Sequence, residues 1–176
     1  MIGTVVFFGS TIGGLLTGLI ADKYGRKWPL LYYSLFISLT GIASALSPNF
    51  TVLLFTRALF GLAYGLLVPA SSSILTEVTP KDKRGVIWVY VATSFPVGQL
   101  VGVSVAAMLN IDEPGSESWR TMLFWVSLPA FVAAYIIWKY LEESPRFAML
   151  SSVDEGINIL KRMFYMNHQQ ELNVTQ

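Results

Sequence analysis

The sequence predicts an all-α membrane protein: five transmembrane helices followed by a cytosolic amphipathic helix. Three observations lead there. Five apolar stretches, Met1–Ala21, Trp28–Ser47, Thr51–Thr76, Val86–Ile111 and Thr121–Trp138, are each close to or beyond the ~20 residues a helix needs to cross a bilayer. Arg57 is the one charged residue inside them. Charged residues form only 13% of the chain against 53% hydrophobic, whereas a soluble domain carries about 25% charge.

Each stretch must be a helix. Lipid cannot bond free N–H and C=O groups, so a span is a helix or a strand of a closed barrel. These runs are about twice the length of barrel strands and lack their polar alternation. The first stretch has no basic residues before it and carries its charge afterwards, so it reads as a span and not as a cleaved leader. Pro29 falls in the first turn of the second stretch, where a missing N–H costs little. Pro48 and Asn49 form a turn before the third. Pro96 and Pro129 lie mid-span and bend the fourth and fifth helices. Gly14-x-x-x-Gly18, Gly61-x-x-x-Gly65 and Gly98-x-x-x-Gly102 each place two small residues on one face, where a neighbouring helix can approach closely.

Charge placement sets the orientation. Of the 12 Lys and Arg, ten follow alternate spans: Lys23, Arg26 and Lys27, then Lys81, Lys83 and Arg84, then Lys139, Arg146, Lys161 and Arg162. Lys and Arg mark the cytoplasmic side. Segments 22–27, 77–85 and 139–176 are therefore cytosolic, and 48–50 and 112–120 face outside or a lumen. The chain divides into a transmembrane bundle, 1–141, and a cytosolic segment, 142–176. In the latter Val153, Ile157, Leu160 and Phe164 recur at helical spacing. Asn49-Phe50-Thr51 is a glycosylation sequon pressed against the membrane and is expected to stay unused, as is the cytosolic Asn173-Val174-Thr175.

Several classes are excluded. No cysteine is present, so no disulfide forms. A net charge of +1 argues against nucleic acid. No nucleophile–base arrangement, phosphate loop or metal cluster is seen, and His168 stands alone in a polar tail. No enzyme activity, metal or cofactor is expected.

The cytosolic loops carry the strongest signal. Asp22 sits at a helix C-terminus, where the dipole disfavours an anion. Arg26 and Lys27 supply the compensating charge, and Gly25 permits the tight reversal between them. The run Gly18-x-x-x-Asp22-x-x-Gly25-Arg26-Lys27 resembles the signature between the second and third helices of the major facilitator superfamily. Three further matches follow in order: Arg57-x-x-x-Gly61-x-x-x-Gly65, then Glu77-x-x-Pro80-x-x-x-Arg84-Gly85, then Glu143-Ser144-Pro145-Arg146-Phe147. The last two are similar to sugar-porter loop elements. Gln99-Leu100 lies fifteen residues after Arg84, further than in hexose porters. Together with Trp119-Arg120, this resembles the synaptic-vesicle-glycoprotein and organic-ion branches of that wider sugar-porter-like group.

The resemblance implies helices two to six of an N-terminal six-helix bundle. The missing first helix and second helix bundle are then expected partners, beside the bilayer. The implied function is transport of a small organic solute by alternating access, with or without a coupling proton. The alternative is a truncated or non-transporting membrane scaffold or subunit. Asp22, Arg26, Lys27, Glu77, Arg84, Glu143 and Arg146 are expected to form a cytosolic charge latch. Gly18, Gly25, Gly61, Gly65, Pro80 and Gly85 serve turns and packing. Arg57, the intramembrane charge, is a functional candidate by its cost of burial alone. With Tyr64 and Gln99 it is expected to line a substrate cavity.

Overall fold

In the computed structural model the described residues are 1–79, 83–109, 118–144, 147–149 and 152–168. Six long helices are described: α1 (Ile2–Tyr24), α2 (Lys27–Ala45), α3 (Phe50–Val78), α4 (Arg84–Met108), α5 (Ser118–Tyr140) and α6 (Val153–His168). The first five are long and apolar enough to cross a membrane. Large apolar side chains such as Phe7, Leu15, Phe55, Val103 and Trp138 stand exposed along all five. On a soluble protein such a surface aggregates; here it is the face that lipid covers.

α1 packs mainly on α3, and α2 packs on both α5 and α3. The apolar core sits where α2 meets α3, built from Leu30, Tyr33, Leu66, Ala70 and Ile74 with Ile137 and Leu141 against it. α4 touches α5 only lightly, and none of its residues is buried. α3 has 29 residues, about 44 Å at 1.5 Å per residue, against a hydrocarbon core of about 30 Å. Its last turn therefore emerges at the basic end, carrying Glu77 out of the lipid.

The α1–α3 crossing is a backbone contact. A Cβ on Gly61 or Gly65 would overlap the carbonyls of Val6 and Ser10, and one on Gly9 or Gly13 would overlap those of Ala58 and Leu62. The small face of α1 is thus Gly9-x-x-x-Gly13-x-x-x-Thr17, a third of a turn away from the sequence-expected Gly14/Gly18 face. Gly14 only grazes α3, and a Cβ on Gly18 would meet nothing. Gly85, Gly98 and Gly102 likewise face open space.

Thr17 completes this crossing. Pro69, a mid-span proline that the sequence reading passed over, lies inside α3. It has no N–H to give to the carbonyl four residues back, that of Gly65. The buried Thr17 hydroxyl reaches that carbonyl at 3.3 Å and the Leu66 carbonyl at 3.2 Å, while also lying 2.9 Å from Gly13 O in its own helix. A hydroxyl from a neighbour thereby covers an acceptor that lipid would leave bare.

The α2–α5 seam is stitched by serines. Ser34 Oγ donates to Ala130 O at 3.0 Å and Ser38 Oγ to Ser127 O at 2.7 Å. Gly41 lies against the Ser127 side chain, with no room for a Cβ.

Four variants test the crossing. Gly61→Ile should destabilise the protein by about 2–3 kcal/mol through overpacking, whereas Gly18→Ala should change stability by less than about 0.5 kcal/mol. Thr17→Val should cost about 1 kcal/mol and Thr17→Ser less. Unfolding of the purified protein in detergent measures all four.

Candidate functional site

The site is built at the basic end, where α1, α2, α3 and α5 converge. Its first element is the reversal at Gly25. This residue caps α1 with φ of +84°, a left-handed value that glycine adopts without penalty. A side chain here would also strike the Glu143 carboxylate and the Phe147 ring. Glycine is therefore required twice, by the turn and by what packs on it.

The reversal leaves the first amides of α2 without intrahelical partners. No side chain within α2 caps them, and the first turn carries the basic Lys27 and no acid, the wrong sign for the dipole. Glu143, beyond the end of α5, supplies both corrections. Its Oε1 accepts from the N–H of Arg26 at 2.7 Å, of Lys27 at 3.2 Å and of Ser144 at 3.0 Å; its Oε2 accepts from Lys27 N–H at 3.3 Å. Charge-assisted bonds of this kind are about twice as strong as neutral ones.

The second element is Glu77, in the last turn of α3. An anion there opposes the negative helix end. Arg26 offsets it, with Nη2 3.4 Å from Glu77 Oε1 and only 19% and 15% of the two side chains exposed. The fully buried Ser144 hydroxyl donates to the other Glu77 oxygen. Arg26 contributes its amide to Glu143 and its guanidinium to Glu77, so one residue joins α2, α3 and the segment after α5.

The structure places the remaining candidates as follows. Lys27 enters through its backbone amide. Arg84 Nε donates to Thr79 O at 3.2 Å, tying the start of α4 to the residue that ends α3. The Asp22 side chain, Pro80 and Arg146 lie outside the described residues. Arg57 stacks its guanidinium 5.2 Å from the Phe60 ring centroid. Tyr64, on the same helix, is 39% exposed, and Gln99 is exposed on the uncovered α4. Beyond the cluster, Glu142 Oε1 meets Arg162 Nη1 at 2.8 Å and links α5 to α6. That bond raises the Arg162 pKa, with the Coulombic attraction of Glu142 adding to it.

One contact was missed. At the opposite end of α2, Arg120 Nη1 donates to Ala45 O at 3.1 Å and also to Ser47 O. Its guanidinium lies 4.5 Å from the Trp119 ring centroid. α2 has no basic residue in its last turn, so Arg120 provides the cation that the dipole favours. The available signal was a lone arginine opening the fifth helix, opposite a helix end with no cation of its own. α2 is thus capped by a carboxylate from just beyond the end of α5 at one end and by a guanidinium from the first turn of α5 at the other.

This arrangement of lipid-facing helices tied by charges at both ends of α2 defines an integral, multi-pass membrane protein. The bundle superposes on the proton:xylose symporter XylE with a TM-score of 0.82 at 21% identity, covering 92% of this chain and 39% of that one. A partially occluded inward-open XylE from E. coli gives 0.81, also at 21% identity, over 91% and 43%. At the level of family, residues 1–172 match "Sugar (and other) transporter", and the chain belongs to that family. A D-xylose transporter of Levilactobacillus brevis is 30% identical over 162 residues, 91% of this chain and 34% of that protein. The putative transporter svop-1 of Caenorhabditis elegans is 32% identical over 171 residues, 97% and 32%. The chain spans about a third of the length of these relatives.

The two caps of α2 are separable. Glu143→Ala leaves the amides without a carboxylate and should cost about 2–3 kcal/mol; Glu143→Gln should cost about half that. Arg120→Ala should cost about 1–2 kcal/mol. The sites lie at opposite ends of a 19-residue helix, so the Glu143→Ala, Arg120→Ala double variant should be additive within about 0.5 kcal/mol. Detergent unfolding curves of the four proteins measure this.

Proposed function

We propose that this bundle is part of a carrier that moves a small organic solute across the membrane by alternating access, and that the basic-end cluster is its latch. The Arg26–Glu77 pair, bridged through Ser144 and the Arg26 amide to Glu143, carries the reading. It joins α2, α3 and the segment after α5 through a carboxylate–guanidinium pair. A latch must hold one state by only a few kcal/mol, so that substrate binding can release it. An ion pair at the rim of the lipid, reachable by water, meets that condition better than the dry α1–α3 crossing. Asp22, Lys27, Arg84 and Arg146 are assigned to the same latch as its outer charges.

The cavity is assigned to the face that carries Arg57, Tyr64 and Gln99. α3 and α4 present these residues, and α4 has no buried face of its own. A further helix and a second bundle, for which the greater length of the relatives leaves room, would enclose it. The relatives' names, a D-xylose transporter and an organic cation/carnitine transporter of Arabidopsis thaliana, support a small polar or ionic solute. Arg57 is the candidate for a solute carboxylate or for coupling to a proton.

Glu77→Gln removes the anion that holds Arg26 and keeps the shape. In the native polypeptide it should raise labelling of a cysteine at Ser72 by a membrane-impermeant maleimide from the cytosolic face by about fivefold. It should also change the rate of solute uptake by the same cells. Unchanged labelling contradicts the latch. Absence of uptake across a panel of pentoses, organic cations and organic anions contradicts transport.

A further inference from the structure

A crevice of about 430 Å³ opens between the last turn of α1 and the first two turns of α2, lined by Ile20, Tyr24, Trp28, Pro29, Tyr32 and Tyr33. Its volume is within the range of small-molecule sites, and its walls are almost wholly apolar or aromatic. It lies outside the charge cluster and away from the face assigned to the solute.

We infer that this crevice binds a membrane phospholipid with an anionic headgroup. Three features converge on that occupant. First, the crevice sits at the basic end of the bundle, at the depth where Trp and Tyr rings meet lipid headgroups. Tyr24, Trp28 and Tyr32 are all at least half exposed or nearly so, at 59%, 49% and 61%, and Trp28 stacks on Tyr32 with centroids 6.4 Å apart. Second, the inner wall is Ile20, Pro29 and the buried Tyr33, a mostly apolar surface that suits an acyl chain. Third, the charge at the mouth is complementary. Lys23 holds its ammonium 5.4 Å from the Tyr24 ring centroid, and Lys27 opens α2 directly before Trp28. Lysines that adjoin the rim residues Tyr24 and Trp28 in the chain fit a phosphodiester with a net negative charge, each contributing about a fivefold preference near such a surface. A zwitterionic lipid gains little from them.

The geometry also gives the bound lipid a consequence. Lys23 and Lys27 flank Gly25 and Arg26, so a headgroup on the lysines borders the reversal that carries the latch.

The test is fluorescence quenching of the purified chain in dioleoyl phosphatidylcholine vesicles doped with acyl-dibrominated phosphatidylglycerol or, at the same fraction, acyl-dibrominated phosphatidylcholine. The anionic brominated lipid should quench more strongly, and Trp28→Phe should remove that excess while leaving the quenching of the other tryptophans. Lys23→Gln should lower the apparent preference by about fivefold, and adding Lys27→Gln should lower it further. Equal quenching of Trp28 by both lipids overturns the proposal, since the crevice is then ordinary lipid boundary. Absence of Trp28 quenching by either lipid also overturns it, since protein then covers the crevice. Neither reading depends on transport.

Discussion

Helix α2 is held at both ends by charges at or just beyond the ends of α5, and the rest of the bundle is arranged around that clamp. A helix in lipid cannot leave its terminal groups to water along most of its length, and the two ends of α2 carry no compensating charge of their own. Glu143 satisfies the amides at one end and Arg120 the carbonyls at the other. Between them, Ser34 and Ser38 reach the α5 backbone. Four side chains thus fix the register of two helices without an ion inside the membrane. α3 then docks on α2 beside that seam through Leu66, Ala70 and Ile74, and α1 docks on α3 through glycine.

The interfaces differ in kind, and the difference bears on motion. The α1–α3 crossing is made of backbone against backbone, with Thr17 filling the acceptor that Pro69 leaves. Shifting it by a fraction of a helical turn would bring Cβ atoms onto carbonyls, so it moves as a unit or not at all. The basic-end cluster is built of long side chains and a glycine reversal, and its Arg26–Glu77 pair is partly exposed. The proposed motion therefore places its hinge at Gly25 and its resistance in the Arg26–Glu77–Ser144 contacts, while α2 and α5 travel together.

The five helices were legible because lipid removes the alternatives: a long uncharged run has only one way to satisfy its backbone. The ends were less so, and α1 continues through Asp22 to Tyr24, because a helix does not stop where the hydrocarbon stops. The resemblance to the major facilitator motifs drew Arg26, Glu77 and Glu143 into one group. It did not show that Glu143 works on backbone amides, since a carboxylate's partners among N–H groups leave no trace in residue type. Glycine spacing marked the Gly14/Gly18 face of α1. Only the position of α3 decides that Gly9 and Gly13 are used while Gly18 faces open space. Arg84, grouped with the latch by its motif, also bonds the Thr79 carbonyl, a contact the motif does not show. Ser144, Arg120 and Thr17 were passed over because a lone hydroxyl or a boundary arginine is common, and its acceptors lie 48 to 75 residues away in the chain.

Hydrogen exchange at the two ends of α2 tests the clamp and its proposed asymmetry most directly. The amides of Arg26 and Lys27 should be protected in the resting protein, and that protection should fall when a transported solute is added, while the amides of Leu46 and Ser47 beside the Arg120 cap keep theirs. Equal loss at both ends would contradict a rigid α2–α5 pair. Unchanged exchange at Arg26 and Lys27, with solute shown to be bound, would contradict a latch at the basic end.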